Sequence, residues 1–412
     1  MKALGSRHVD AAGALAGAMA MVVATTTGLA PSAVAADAQS QQWYLGPMQA
    51  ERMWKVSTGK GIKVAVIDSG VNADTPSLKG QVLVDEVPAA VAYRATDDYT
   101  GNGTTMAELI AGTGAGGGLK GLAPGARIVP YRVELETMQA EEREKEKTPD
   151  LSDAITAAAD TDAQIISMSL SWRWFTGNDQ AAIDYAASKG KLLIASVGDE
   201  VDEAGAGFPA DNPYVVGVTS VDASGTVSKG VAQGYADLAA PGERIPSWCD
   251  ADFRSYCVGD PDTRPAAALA SAAAALIWSA HPDWTVNQVT RSLIDTASRS
   301  WAKDDPSRFA GYGLVRPRKV LENDDYDPGP PDIDPLADVN GGDLLAKSGA
   351  TRSPAPADGK EATEDSGTVT SAMASPSNYY HPLWLSLSSV ATVIGLATTG
   401  IAVLRLRQER RR

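Results

Sequence analysis

The chain has 412 residues, of which 44% are apolar and 21% charged, a balance that excludes a wholly disordered protein and suits one large folded domain or two ordinary ones. Its net charge of −15 argues against a nucleic-acid partner, because too little positive charge is available to release counterions from phosphate. Histidine occurs only at His8, His281 and His381, and cysteine only at Cys249 and Cys257.

Residues 1–36 read as a secretory signal. Lys2 and Arg7 give a positive start, an apolar run from Ala11 to Ala24 follows, and Ala33-Val34-Ala35 offers a small-residue cleavage site. A retained anchor is the competing reading. Export places the cysteines in an oxidising compartment, so a Cys249–Cys257 disulfide is expected. No His or Cys lies near them to make a metal site, and no cofactor is expected.

From Gln41 to about Val320, apolar runs alternate with helical segments. The spacing predicts strands at Lys63–Asp68, Arg127–Val133, Gln164–Leu170, Lys191–Val197 and Val215–Val221. It predicts helices at Met48–Val56, Gly103–Thr113, Leu151–Asp160, Asp179–Lys189, Pro265–Ala280 and Thr285–Ala297. The strands are apolar almost throughout rather than alternating, as strands covered on both faces must be. The fold class is therefore α/β, three layers, with a central mainly parallel sheet and helices on both faces. Sites in such sheets lie beyond the carboxyl ends of the strands, which singles out Asp68. Met138–Asp150 is dense in both charges and reads as a solvated insertion, with partner docking as the alternative. In Val258–Ala280, Thr263 is expected to cap a helix whose Ala run lets neighbouring backbones approach closely.

Glu322 to about His381 is rich in Pro, Gly, Asp, Ser and Thr, and reads as a disordered acidic linker over 321–382. Residues 383–404 form an uncharged apolar run of membrane-spanning length. The arginine-rich tail 405–412 follows, and such a cluster stays cytoplasmic, so the expectation is a single carboxyl-terminal transmembrane helix with the domain (37–320) outside the plasma membrane. A buried core helix is the alternative.

Several stretches, in this order, resemble the subtilisin-like serine peptidases. VAVIDSGVNADTPSL is similar to the segment carrying the family's aspartate, with Asp68 in that place. DYTGNGTTMAELIAG resembles the D-x-x-G-H-G-T segment, with Asn102 at the histidine position. IISMSLS resembles the strand that flanks substrate, which implies a peptide-binding edge at Ser169, Leu170 and Ser171. ASVGDE resembles A-A-G-N, with Asp199 at the oxyanion asparagine. DTRPAAA resembles G-T-S-x-A-A-P, with Arg264 at the nucleophile and Asp262 at the glycine. GLAPGARIVPYRV, YADLAAPGERIPS and GYGLVRPRKVL complete a resemblance that runs from about residue 41 to 320. The layout of signal, peptidase domain, Pro-rich linker and anchor is similar to that of the mycosins associated with type VII secretion.

The resemblance implies a degenerate triad. Only the orienting acid, Asp68, is kept; Asn102 cannot take and return a proton, and Arg264 has no lone pair to attack with. Asp199 removes an oxyanion donor. Thr263 and Ser271 lie near Arg264 but have no base beside them. The Arg264 guanidinium is expected to contact Asp199, Asp68 or both. The leading expectation is an inactive, membrane-anchored, mycosin-like scaffold or regulator of a type VII secretion assembly. A non-cleaving module that holds an extended peptide by strand addition, and a serine-type endopeptidase with unconventional residues, are the alternatives.

Overall fold

The computed structural model describes residues 38–340, apart from 136–137, 139–140, 173–174, 199–206, 233–235 and 260. The expected signal, the second part of the linker, the apolar run 383–404 and the basic tail lie outside the described residues. Among those described, no helix is long and apolar enough to cross a membrane.

Six parallel strands form the central sheet in the order β2-β1-β3-β4-β5-β6. They are β1 Lys63–Asp68, β2 Arg127–Arg132, β3 Ile165–Met168, β4 Leu192–Ser196, β5 Val216–Val221 and β6 Leu238–Pro241. Nearly every strand residue is buried, so the near-continuous apolar runs reflect cover on both faces. In β1, Val64 and Val66 join one core cluster while Ala65 and Ile67 join the other. The helices α1 Asn102–Ala111, α4 Arg264–Ala280 and α5 Val286–Thr296 cover the first face. The helices α2 Leu151–Ala159 and α3 Gly177–Ser188 cover the second. The expected three-layer α/β arrangement is thus present.

Helix α4 runs across the middle of the sheet, touching β3, β4, β5 and β6. Ala266–Ala268, Ala270 and Ala272–Ala275 are completely buried. Methyl-sized side chains bring the helix backbone close to the strands, and a larger residue here would overpack the core. The start of α4 differs from expectation. Thr263 does not cap the helix; its hydroxyl accepts the Gly198 N–H at 3.1 Å instead. The free amide of Arg264 is taken by the Asp262 carboxylate (2.8 Å), with Pro265 in the first turn.

Three further differences have clear physical reasons. The expected helix Met48–Val56 is a single turn, Ala50–Met53, because Gln49 takes a left-handed backbone (φ 58°) that a right-handed helix cannot run through, and the segment before it is tied to the domain by side chains. Gln39 donates to the Gly114 and Gly118 carbonyls, Gln42 to Lys120, and Trp43 to Glu243. The sixth strand, β6, was not among the expected strands and sits inside YADLAAPGERIPS; four residues are too few to carry a periodic signal. The hairpin β7 Pro246–Trp248 and β8 Tyr256–Val258 is likewise too short to read, and the Cys249–Cys257 disulfide closes it with a Cα–Cα distance of 5.0 Å.

The linker expectation needs correction at its start. Residues 322–340 are held on the domain as a strap. Arg291 donates to the carbonyls of Pro328, Pro330 and Ile333; Gln288 donates to Gly329; Thr285 and Asn287 both donate to Pro331. Leu336 inserts into the core. Composition gave no hint of this, because side chains of α5 supply the donors to a Pro-rich backbone that cannot bond to itself.

The charged insertion is also more than a solvated turn. Arg132, at the end of β2, is 1% exposed and donates to Glu144 at 2.6 Å, while its guanidinium lies 4.9 Å from the Tyr99 ring. Glu144 also pairs with Arg94. Removing one partner of a buried pair strands the other charge. Glu144 is a quarter exposed and Asp97 stands 3.8 Å from Arg132, so the cost is at the low end. Glu144→Ala is expected to lower stability by about 2 kcal/mol in denaturant unfolding. Glu142→Ala, whose side chain is 86% exposed, is expected to change it by less than about 0.5 kcal/mol.

Candidate active site

The chain runs from β1 outward to β2 and then returns to β3 on the other side of β1, so the strand order reverses between β1 and β3. Crevices at such points, beyond the carboxyl ends of the strands, are where α/β sheets bind ligands. Asp68 ends β1 there, and Ser169 follows β3.

Three chain segments converge on Asp68. The first is the turn after β1. Asp68 Oδ1 accepts the Ser69 N–H at 2.7 Å and the Ser69 hydroxyl at 3.0 Å. The second is the start of α1. A Cβ on Gly103 would stand 2.1 Å from the Gly70 carbonyl oxygen and 3.0 Å from Asp68 Cβ, so only glycine lets this helix begin against the β1 turn. Asn102, the first residue of α1, is thereby fixed beside Asp68. The third is the start of α4. Ser169 Oγ donates to the Arg264 carbonyl at 3.1 Å, tying the end of β3 to that helix.

Asp98 organises the α1 end, a role the sequence reading did not assign. It is 3% exposed and accepts from the amides of Thr100, Gly101 and Thr104 and from the hydroxyls of Thr104 and Ser69, at 2.7–3.0 Å. It satisfies the open amides of the helix start. The signal was present as the Asp four residues before Asn102 in DYTGN.

Asp68 and Asp98 share one hydroxyl hydrogen, that of Ser69, between two carboxylates. Asp98 has five other donors, the longest being the Thr100 hydroxyl at 3.4 Å. Asp68 has the Ser69 amide, and its Oδ2 is buried with no hydrogen-bond partner among the described residues. Burial pushes the Asp68 carboxyl up to about 7; the charge of Asp98 adds to the rise, while the Ser69 amide and the Arg264 charge oppose it. The Asn102 side chain is half-buried and makes no hydrogen bond to Asp68 among the described residues.

Of the pairings expected for Arg264, the one to Asp199 falls outside the described residues, and Asp262 is a partner that was not expected. The Arg264 Nε lies 2.7 Å and its Nη2 2.5 Å from Asp262 Oδ2. No ion pair within 4 Å joins it to Asp68, although it is near enough to lower the Asp68 carboxyl. The physical reason is local. An Asp two residues before the first residue of a helix caps that residue's amide and holds its side chain at once. That spacing, D-T-R, was legible in the sequence. Asp199 lies outside the described residues.

Ser271 is fully buried on α4 and donates to Ser167 and to the Ala267 carbonyl, as packing rather than chemistry requires. Ser169 and Leu170 are buried, Ser171 is exposed, and Trp172 pairs with Phe208 through two backbone hydrogen bonds of 2.8 Å. Among the described residues no group of three or more His, Cys, Asp or Glu side chains is placed to hold a metal ion.

A buried aspartate at the end of the first strand, facing the starts of two helices on one side of a parallel sheet, defines the subtilase arrangement. The Subtilase family model matches residues 59–313, and the chain belongs to that family.

Two curated relatives are each 30% identical to it. Thermitase of Thermoactinomyces vulgaris aligns over 50% of this chain and 72% of its own length, and Subtilisin E of Bacillus subtilis over 63% and 65%. Among solved structures, the MycP3 protease from the type VII (ESX-3) secretion system is similar with a TM-score of 0.56 and 28% identity, covering 72% of this chain and 90% of that one. A serine protease MycP1, described as an essential component of the type VII (ESX-1) secretion system, is similar at 0.55 and 25%, over 71% and 90%.

Proposed function

We propose that this subtilase does not hydrolyse peptides and acts by binding, as a scaffold or regulator of a type VII secretion assembly on the outer face of the plasma membrane. The observation that carries this reading is Arg264, first residue of α4, with its guanidinium held by Asp262 where the family resemblance puts the attacking hydroxyl. A guanidinium stays protonated and offers no lone pair. Beside it, Asn102 supplies an amide where a base must accept and return a proton. Asp68 retains a carboxylate with nothing to orient. The likeness to MycP3 and MycP1 supports the secretion context. The run 383–404 and the basic tail support an anchor with the domain (37–320) outside and the tail in the cytoplasm. On this reading the linker proper starts after residue 340.

The peptide-holding alternative has less support. Ser169 and Leu170 are buried, and the Trp172–Phe208 pairing takes up the backbone right after Ser171.

The test is a fluorophosphonate probe on the full chain in membrane extract, with Subtilisin E as the labelled control. No label is expected on this chain. Label mapping to any Ser or Thr would end the proposal. Pull-down from solubilised membranes then reads the secretion partners.

A further inference from the structure

Helix α5 and its cap present a row of side-chain donors to the strap 322–340, and each of their bonds to the strap ends on a backbone carbonyl. Thr285 and Asn287 donate to Pro331 at 2.9 and 3.1 Å, and Gln288 donates to Gly329 at 2.9 Å. Arg291 reaches Pro328 at 3.0 Å, Pro330 at 2.9 Å, and Ile333. Thr285, Gln288 and Arg291 are three residues apart, so they lie along one face of the helix.

The helix sets these donors in place without help from the strap. Thr285 caps α5, and Gln288 Oε1 accepts the Thr285 amide at 3.0 Å, which turns the Gln288 amide nitrogen toward Gly329. Gly329 has a φ of 73°, and a Cβ there would stand 3.1 Å from Arg291 Cδ. The helix therefore reads a backbone: prolines with no N–H of their own, and a glycine that lets the chain lie against the arginine.

We propose that this face of α5 is a recognition groove for proline- and glycine-rich segments, that the strap fills it as an internal ligand, and that an uncharged or basic segment of the same kind on a partner protein takes the strap's place. The inference rests on α5 and the strap alone, and it stands apart from the reading of the cleft.

Charge and packing both favour exchange over a permanent tie. Glu322 pairs with Arg52 and Arg318, but no ion pair among the described residues takes Asp327, Asp332, Asp334 or Asp338. Asp334 also faces Asp237 on the domain, whose carboxyl it helps to push up. A segment without these carboxylates keeps the bonds to the carbonyls and loses the repulsion. Beneath the second half of the strap, a pocket of about 50 Å³ remains between Asp334, Leu336 and Asn340 above and Leu193, Val216 and Val286 below. The strap underfills its groove, and a larger side chain in the place of Leu336 would gain contacts there.

An internal ligand competes at a high effective concentration, so a free segment binds well only when the strap is loosened. The test is fluorescence anisotropy on the full chain in detergent, with a labelled peptide that carries the strap sequence 326–336 with asparagine at each aspartate. Gly329→Ala strains the strap through its positive φ and its contact with Arg291, and is expected to bind the peptide about tenfold more tightly than the wild type. Adding Gln288→Glu to Gly329→Ala is expected to abolish binding, because the glutamate keeps the capping box but turns the donor toward the glycine carbonyl into an acceptor. The same peptide with alanine at its glycine is expected not to bind. Equal binding by the wild type and Gly329→Ala would overturn the proposal, and so would binding that survives Gln288→Glu. Absence of binding to Gly329→Ala at millimolar peptide, or pairing of that variant with a second copy in place of the peptide, would overturn it as well.

Discussion

Given a chromogenic peptide anilide, the full chain is expected to turn it over at least about 10⁶-fold more slowly than Subtilisin E under the same conditions. In subtilisin itself, loss of the serine or the histidine alone lowers turnover about 10⁶-fold. That factor corresponds to about 8 kcal/mol of barrier. Here both positions are changed together, to Arg264 and Asn102. Triad members act as a unit, so the two losses do not add, and 10⁶ is already the expected depth. The same non-additivity shapes the repair. Asn102→His alone is expected to leave the chain silent, because Arg264 still occupies the start of α4. Arg264→Ser alone is also expected to stay silent, because no base draws its proton. The double variant is expected to gain measurable turnover, since the open Oδ2 of Asp68 is placed to accept from an imidazole on the first residue of α1. Wild-type turnover within about 10³-fold of Subtilisin E would show that some other group attacks, since loss of the triad alone costs about 10⁶-fold.

Glu108→Gln is expected to remove a large part of the pH dependence of stability between pH 4 and 8. Glu108 lies within α1 and is fully buried. Its two oxygens accept from Thr75 (2.8 Å) and from Tyr256 on the disulfide hairpin (2.7 Å). Burial nevertheless pushes its carboxyl up to about 7, and the two hydroxyl donors only partly oppose this. The folded state therefore holds a proton that the unfolded chain releases near its ordinary value of 4.5. Below that value both states are protonated and the contribution is fully present. As pH rises from there through about 7, the native state alone retains the proton and stability falls. The loss is about 3 kcal/mol for a shift of this size, and it is complete above pH 8. Gln cannot titrate, and its amide keeps an acceptor for Thr75 and a donor toward Tyr256. Urea unfolding of both proteins across this range gives the difference directly. Asp68, buried, and Asp237, partly buried, are both raised to about 7 and contribute slopes of the same sign in either protein, so the difference isolates Glu108. Parallel wild-type and variant profiles would mean that Glu108 is ionised in the fold.

Arg264 shows most clearly where sequence reading stops. Its identity, and its place at the start of the central helix, follow from DTRPAAA and the Ala run behind it. Its partner does not follow from the same reading. Asp199, Asp68 or both were the expected counter-charges, and Asp262, two residues away and already committed to the helix amide, is a partner the family motif does not mark. Short-range geometry at the helix start supplies that partner. The strap 322–340 illustrates the same limit from the other side. Its composition resembles that of an unfolded linker, yet its backbone carbonyls meet donors on α5 that only the folded chain brings there.

The order and type of the main elements were fixed by local patterning: apolar runs for strands covered on both faces, and small residues for the helix laid across them. The expectation that the cleft does not hydrolyse peptides was likewise legible, from Asn102 and Arg264 at the positions the family resemblance marks. Tertiary structure alone decided which charges meet, because a pairing depends on distance and solvent exclusion, and neither has a periodicity that a single chain can display.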